Sequence, residues 1–363
     1  MTRRLLGLTC LVPLACIAGA AQAHHSVSAN FDLNRRIEIR GTVVDFKLRS
    51  PHSSLVVRGR AFENGAPLDE SEQDWEIESS ALKGLASRGI TADSITPGDT
   101  IIVVGSPHRR GLHRANSSEF LAADRSPLGS VSGGAAERDP ASLVPPGLVA
   151  AERVTGRWRP PYQPEGKTSA LPLNEAGLAA WRSYDQALSP ANTCEPMSIP
   201  VVFNAPSYFV DIRFGDGNVV IRNEAYDVHR TVPLGSEFAP ADPDGQWGRV
   251  RGRVEGDTLV VESRDYPPSK WGLGAATQIN GGGADVPSSE RKTVTERFSV
   301  SDDALTLIYE YTLFDPAYMR EPHDARIEMA RVSDDSPMYP YDCDVDSASM
   351  FSRAPEETLL ERE

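Results

Sequence analysis

Residues 37–48 read IEIRGTVVDFKL, and this stretch decides the fold of the first part of the chain. Apolar residues alternate with polar ones, which is typical of a β-strand that is buried on one face. Two more alternating runs follow, SSLVVRGRAF at 53–62 and QDWEIES at 73–79. Three successive strands of this kind predict a small, strongly curved sheet.

The next elements complete a small barrel. ALKGLASRG at 81–89 predicts one short helix that ends at Gly89. TPGDTIIVVGSP at 96–107 predicts a turn and a fourth strand, and EFLAAD at 119–124 predicts a fifth. Three strands, a helix and two strands is the element order of the OB-fold. The sequence lacks the basic groove with interleaved aromatics that single-stranded nucleic acid needs, which favours a scaffold role.

Four motifs in this region resemble the domain-of-unknown-function family 6152. They are HHSVSANFD at 24–32, RGTVVDFKLRSPHSSLVV at 40–57, WEIES at 75–79 and SITPGDTIIVVGSPHRRG at 94–111. The resemblance covers about residues 24–124 and implies an exported β-rich domain that begins with His-His-Ser, without an assigned activity. Members usually carry Asn-Pro-His where this chain has Ser50-Pro51-His52.

Residues 1–23 are expected to be a signal peptide. Arg3 and Arg4 precede the apolar stretch LLGLTCLVPLACIAGA, and Ala21-Gln22-Ala23 has the small-x-small pattern that signal peptidase accepts. Cleavage there would export the chain to the periplasm or the medium and make His24 the first residue. No other segment is long and apolar enough to span a bilayer.

Composition divides the mature chain into unlike parts. Residues 24–125 hold 13 basic and 14 acidic side chains, whereas the rest holds 22 and 37, an acidic balance that makes nucleic acid an unfavourable partner. The segment 126–153 is rich in Gly, Ser, Pro and Ala, which predicts a flexible linker. We therefore expect an OB-like domain at 24–125, a β-barrel domain at 154–346 and an acidic tail at 347–363.

The second domain is predicted to be an antiparallel up-and-down barrel with one short helix. The helix spans about Asn174 to Tyr184, with Asn174 as its N-cap. About eight alternating runs follow, and turn residues such as Gly215-Asp216-Gly217 separate several of them. In ALTLIYEYTLF one face is apolar; its residues are Leu305, Leu307, Tyr309, Tyr311 and Leu313.

This domain resembles a group of uncharacterised exported bacterial proteins. The shared pieces are TGRW, LNEAGLAAWRSYD, CEP, GRVEGDTLVVES and a C-terminal cysteine, within 154–345. The resemblance implies a calycin-like barrel. Separately, Cys194 and Cys343 are the two cysteines left after signal cleavage, and in an oxidising compartment they most simply pair as a structural disulfide.

Five of the seven histidines fall in the first domain: His24, His25, His52, His108 and His113. A free amine with a pKa of about 7.7 to 8 can yield to copper, and nitrogen donors in a flat arrangement suit Cu(II). His24 would bind through its amine and Nδ1, with a further imidazole from His52 or His108. His25 offers a second arrangement that uses its ring, the intervening amide and the amine.

Two other functions remain open. The second barrel could carry a small apolar or aromatic ligand in a cavity lined by Trp247, Trp271, Tyr309 and Tyr311, although packed barrel cores use the same residues. An enzyme is also possible. However, the sequence shows no nucleophile elbow, Walker loop, H-E-x-x-H or dinucleotide fingerprint, so no residue pattern argues for catalysis.

Overall fold

The computed structural model shows a mainly β protein built from two barrels, as the sequence predicts. It describes residues 30–129, 140–161, 171–184, 189–204, 208–240, 246–275 and 285–349. None of the helices in these ranges has the length and apolar character needed to cross a membrane. The predicted signal peptide and most of the predicted tail lie outside the described residues.

The first barrel contains six strands and one helix. They are β1 (Ile37–Lys47), β2 (Ser53–Glu63), β3 (Ala66–Pro67), β4 (Gln73–Ser79), α1 (Leu82–Ala86), β5 (Thr100–Pro107) and β6 (Arg114–Ala122). Five strands close in the order β1–β5–β6–β4–β2 and back to β1, with β4 and β6 parallel and the other pairs antiparallel. This order and the helix between β4 and β5 confirm the OB-like prediction.

Two glycines allow the tight approach of β1 and β2. Gly41, in the middle of the opening stretch, pairs with Gly59. A Cβ atom on Gly41 would lie 2.1 Å from the carbonyl oxygen of Arg58, and one on Gly59 would lie 2.2 Å from that of Arg40. Only glycine fits such a crossing, so this pair helps the long strands to curve into a closed barrel.

One boundary in this barrel differs from the prediction. β6 begins at Arg114, five residues before the predicted strand. Its first part pairs in parallel with β4, with Arg114 opposite Glu76 and Asn116 opposite Glu78. Because these outward residues are polar, the apolar alternation that predicts a strand begins only near Phe120.

The second barrel contains nine strands in one antiparallel sheet. They are β7 (Gly156–Arg159), β8 (Val210–Gly215), β9 (Asn218–Asn223), β10 (Val228–Pro233), β11 (Arg249–Glu255), β12 (Thr258–Arg264), β15 (Thr293–Val300), β16 (Thr306–Phe314) and β17 (His323–Val332). The sheet order is β10–β9–β8–β7–β17–β16–β15–β12–β11. Its edges approach each other where Leu234 bridges Gly252, so the barrel is nearly closed. A separate hairpin comprises β13 (Ser269–Ala275) and β14 (Asp285–Ser288).

The helical elements that lie entirely within the described ranges are short. Besides α1, they are α2 (Glu175–Arg182), α3 (Val345–Ala348) and the 3-10 turns Pro140–Leu143, Ala150–Val154, Pro190–Thr193, Val201–Asn204 and Ala225–Asp227. The Asn174 side chain accepts a hydrogen bond from the backbone N–H of Gly177 at 3.0 Å, which confirms the predicted N-cap of α2. In β16, alternate residues from Leu307 to Leu313 are buried, as the pattern predicts.

Two sequence predictions about connections are modified. Ala151 and Val154 are buried in the core of the second barrel, so its packing begins within or next to the predicted linker. Helix α3 extends to Ala348, past the predicted start of the acidic tail at residue 347. Cys194 and Cys343 form the predicted disulfide, with sulfur atoms 2.08 Å apart.

The C-terminal segment Tyr339–Ser349 joins the two barrels. Ser50, in the loop between β1 and β2, bridges Cys343 and accepts a hydrogen bond from the Asp344 N–H at 3.0 Å. The His52 N–H donates to the Ser347 hydroxyl at 3.2 Å. In OB-folds the faces of the second and third strands and this loop are the usual ligand surface. Here part of that surface contacts the chain's own C-terminal segment.

Candidate metal-binding end of the first barrel

Asn30–Asp32, the first residues that the structure describes, are attached to one end of the first barrel. Phe31 forms a β-bridge with His108, and the Arg109 N–H donates to the Asn30 carbonyl at 2.8 Å. The Asp32 N–H donates to the Pro107 carbonyl at 2.9 Å. The chain therefore enters the described structure beside the loop between β5 and β6, which carries His108 and His113.

His113 has the surroundings of a metal-ligating imidazole. Its Nε2 lies 3.4 Å from the Oδ1 atom of Asp69, and its side chain is 45% exposed. Its ring also contacts Trp75 edge to face at 5.2 Å. A histidine that donates one ring N–H to a carboxylate presents the other nitrogen to a metal, and the carboxylate fixes the ring. The Asp69 carboxylate lies beside Nε2, so Nδ1 is the ring nitrogen through which we would expect His113 to bind an ion.

His108 has the opposite arrangement. Its Nδ1 accepts a hydrogen bond from the Arg110 N–H at 3.1 Å, which places the ring proton of the neutral form on Nε2. Burial, with Arg110 and Arg114 nearby, lowers the pKa of His108. A metal bound to Nε2 would move the ring proton to Nδ1, where it would face the Arg110 N–H donor. This geometry argues against the predicted role of His108 as a ligand, and its ring instead packs against Phe31.

His52 lies near the C-terminal end of β4, away from His113. It precedes Ser53, which pairs with Ser79, whereas His113 precedes Arg114, which pairs with Glu76. Glu76 and Ser79 are about 10 Å apart along a strand, and the two histidines lie beyond them in opposite directions. The structure therefore does not bring His52 to the loop of His108 and His113.

The predicted histidine set is only partly assembled. No three His, Cys, Asp or Glu side chains come together as a metal site within the ranges that the structure describes. His24 and His25 lie outside the described residues. Sequence reasoning missed Asp69 because its contact with His113 depends on how the loop after β3 folds, and no motif marks it.

A buried carboxyl group accompanies His52. Glu78 is 3% exposed, and its Oε1 lies 3.6 Å from the His52 Nδ1 and accepts a hydrogen bond from the Asn116 amide at 3.2 Å. Burial raises the pKa of Glu78 to about 8. At neutral pH it is largely a protonated acid.

The residues predicted to line a cavity in the second barrel contact the chain's own side chains. Tyr309 is fully buried, and its ring lies 5.1 Å from Phe203, 4.9 Å from Phe298 and 5.6 Å from Tyr311. The Trp271 indole N–H donates to the Pro196 carbonyl at 3.1 Å. Trp247 is half-buried against the same core. A ligand would have to displace Phe203 to reach the face of Tyr309 that it covers.

The segment Ser189–Asn204, which we name the inner segment, supplies Phe203. The fully buried amine of Lys292 donates to two groups of this segment, the Ser198 hydroxyl and the Ile199 carbonyl, the latter at 3.1 Å. It also donates to the Gly272 carbonyl on β13 at 3.2 Å. Burial lowers the pKa of Lys292 to about 7. These bonds, with the disulfide at Cys194, fix the inner segment within the barrel.

A buried ion pair crosses the same barrel. The Arg230 guanidinium on β10 donates twice to the Glu296 carboxylate on β15, at 2.8 and 3.1 Å, and once to the Ser263 hydroxyl at 2.9 Å. The Tyr309 hydroxyl donates to Glu296 at 3.1 Å. Both charged side chains are essentially unexposed. Sequence reasoning missed this pair because its members are 66 residues apart.

Comparisons with known proteins bear mainly on the first barrel. Residues 11–116 match the model of a family of unknown function, DUF6152, which confirms that this part of the chain resembles that family. No curated protein matches the chain. Among solved structures, the crystal structure of apo Caenorhabditis elegans lipid binding protein 8 is similar at 9% identity, over 51% of this chain and 99% of that one, with a TM-score of 0.27. A likeness at that level carries no argument about a ligand.

Proposed function

We propose that this chain is an exported copper-binding protein whose metal centre forms when an amino terminus at His24 meets the loop that carries His113. The observation that carries the proposal is the pairing of Asn30–Asp32 with Pro107–Arg109. This pairing ties the start of the described chain to the same loop. His24 precedes Asn30 by six residues, and six extended residues span at most about 20 Å.

The proposed donor set has three nitrogens. His24 supplies its amine and its ring Nδ1, and His113 supplies Nδ1 while Asp69 holds its Nε2. Such a set is flat, neutral apart from the metal, and suited to Cu(II), which heads the affinity order of the divalent first-row metals. Binding requires loss of the amine proton, so affinity should rise with pH up to the amine pKa of about 8 and level off above it.

His25 gives an alternative arrangement that would contradict the proposed role of the barrel. Its ring, the intervening amide and the amine can chelate copper without any residue of the barrel. The two arrangements differ in what they need. The first fails without His113, and the second fails without His25.

Competitive copper titration of the mature form tests the proposal. A matched form that starts at Ala21 keeps the native sequence but moves His24 to the fourth position. We use three added residues because a single one would place His25 third, where amine, amides and imidazole chelate copper by themselves. Loss of tight binding in the longer form supports the proposal, and equal affinity in both forms contradicts it.

Single substitutions then separate the two donor sets. His113→Ala should weaken copper binding about tenfold or more if the barrel supplies an imidazole, because loss of even a metal-supporting contact has an effect of that size. His229→Ala, at an exposed position on β10, is the control and should leave affinity unchanged. If His25→Ala removes binding and His113→Ala does not, the chelate lies entirely in the first two residues.

A further inference from the structure

A cleft lies on the first barrel where the chain leaves β6. After β6 the chain reverses, so that Pro127 bridges Leu121 and the Leu128 N–H donates to the Phe120 carbonyl at 2.8 Å. Sequence composition predicts the start of a flexible linker here. Here Ser126–Leu128 folds back onto β6, and Pro127–Gly129 forms one wall of a cavity of about 200 Å³.

The wall is held close to its neighbours. Gly129 has a φ of +90°, and a Cβ atom there would lie 2.7 Å from the Arg88 carbonyl oxygen and 2.8 Å from the Ile90 side chain. A larger residue would push the wall outward. The cleft is therefore a formed feature of the barrel and not only a gap beside a loop.

The floor of the cleft is apolar and its rim is positively charged. Ile90 and Phe120 are buried beneath it, and Leu128 packs against the same core. Arg36 and Arg88 stand at the rim, where Arg36 pairs with Glu119 at 3.2 Å. Because the charges of Arg36 and Glu119 cancel, Arg88 gives the cleft a net positive charge.

Arg88 is positioned to accept an anion. One of its amino groups donates to the Ser118 carbonyl at 3.4 Å, and both residues line the cleft. Among the described residues that line the cleft, the one carboxylate, Glu119, pairs with Arg36 and not with Arg88. A guanidinium has five N–H donors and favours two-point contact with a carboxylate, so most of its donors remain for a ligand.

We propose that this cleft binds a small amphipathic carboxylate, with Arg88 holding the carboxylate and Ile90, Phe120 and Leu128 contacting an aliphatic or aromatic body. The cavity is smaller than the 300 Å³ or so at which sites for drug-sized ligands begin, so the ligand is a short acid and not a long-chain lipid. This site is independent of the proposed copper centre.

Calorimetric and NMR titrations of the whole chain with hexanoate and benzoate test the proposal. We expect saturable binding with shifts at Arg88, Phe120 and Leu128. The neutral amides hexanamide and benzamide should bind about tenfold more weakly, because a charge-assisted contact is lost. Absence of saturable binding by both anions, or equal binding of acids and amides, overturns the proposal.

Two variants localise the effect. Arg88→Gln should weaken the anions about tenfold, whereas Arg60→Gln, at an exposed arginine on β2, should change affinity less than about twofold. If Arg88→Gln binds the anions as tightly as the parent chain, the site lies elsewhere and the proposal is wrong. If that variant does not fold, the comparison of acids with amides on the parent chain decides.

Discussion

At the scale of single residues, Glu78 is the group whose environment departs most from what its position suggests. It lies on the outer face of β4, between Glu76 and the strand end, yet it is buried beside His52 and Asn116. Its Oε2 accepts no hydrogen bond from the described residues. Burial of an ionised carboxylate without compensation is costly, so the group keeps its proton and its pKa rises to about 8.

This shift predicts a pH-dependent effect of Glu78→Gln. Between pH 4.5, the ordinary pKa, and about 8, the unfolded chain has lost a proton that the folded chain keeps. Stability of the parent therefore falls as pH rises through this window, by up to about 1.4 kcal/mol per unit. Glutamine removes that loss, so the advantage of Glu78→Gln in free energy of unfolding should grow with pH.

Urea unfolding at several pH values between 4.5 and 8 checks this prediction. Glu70→Gln, at an exposed glutamate before β4, is the control and should show no such trend. A difference between Glu78→Gln and the parent that stays constant across the window would mean that Glu78 ionises normally in the folded chain.

At the scale of elements, much of the architecture was available from local pattern. Alternation predicted most strands of both barrels, and Asn174 marked the start of α2. Strand β7 was not predicted, because its four residues, Gly156–Arg159, are too few to show an alternating pattern. The histidine site was predicted less well. His113 and His52 occur on loops whose separation depends on the pairing of β4 with β2 and β6, and residue types do not reveal that register.

The Arg230–Glu296 pair also belongs to this scale, because it links the edge strand β10 with β15 across the interior of the second barrel. Arg230→Met leaves Glu296 buried without its partner and should lower the free energy of unfolding by about 3–5 kcal/mol. Replacing both residues, as in Arg230→Met with Glu296→Leu, should recover much of that loss. Urea unfolding of the single and double variants measures both effects.

The exposed pair Arg326–Glu310 serves as a matched control. Its side chains are 49% and 46% exposed, and such pairs contribute at most about 1 kcal/mol. If Arg230→Met costs no more than Arg326→Met, the buried pair does not stabilise the contact between β10 and β15.

At the scale of the whole molecule, the two barrels are joined by more than a connecting chain. Lys83 of α1 pairs with the buried Glu224 of the second barrel and lies 3.1 Å from the centre of the Phe209 ring. Glu224 also accepts the Tyr339 N–H at 2.9 Å. One carboxylate thus contacts both the first barrel and the C-terminal segment, a feature that composition cannot predict because it joins distant parts of the sequence.

This contact predicts coupled unfolding. The parent chain should melt in one calorimetric transition, whereas Lys83→Gln should separate the melting of the two barrels by weakening their interface. Lys47→Gln, at a 43% exposed lysine, should leave a single transition. Two transitions already present in the parent would show that the barrels are energetically independent.

The copper proposal makes one demand on the whole molecule: a new amino terminus must act together with a loop of the folded barrel. Electron paramagnetic resonance of the Cu(II)-loaded mature chain tests this demand most directly, because superhyperfine splitting reports the bound nitrogens. We predict three nitrogens in the form that begins at His24, one fewer in His113→Ala, and no such signal in the form that begins at Ala21. Three nitrogens in His113→Ala as well would contradict the account.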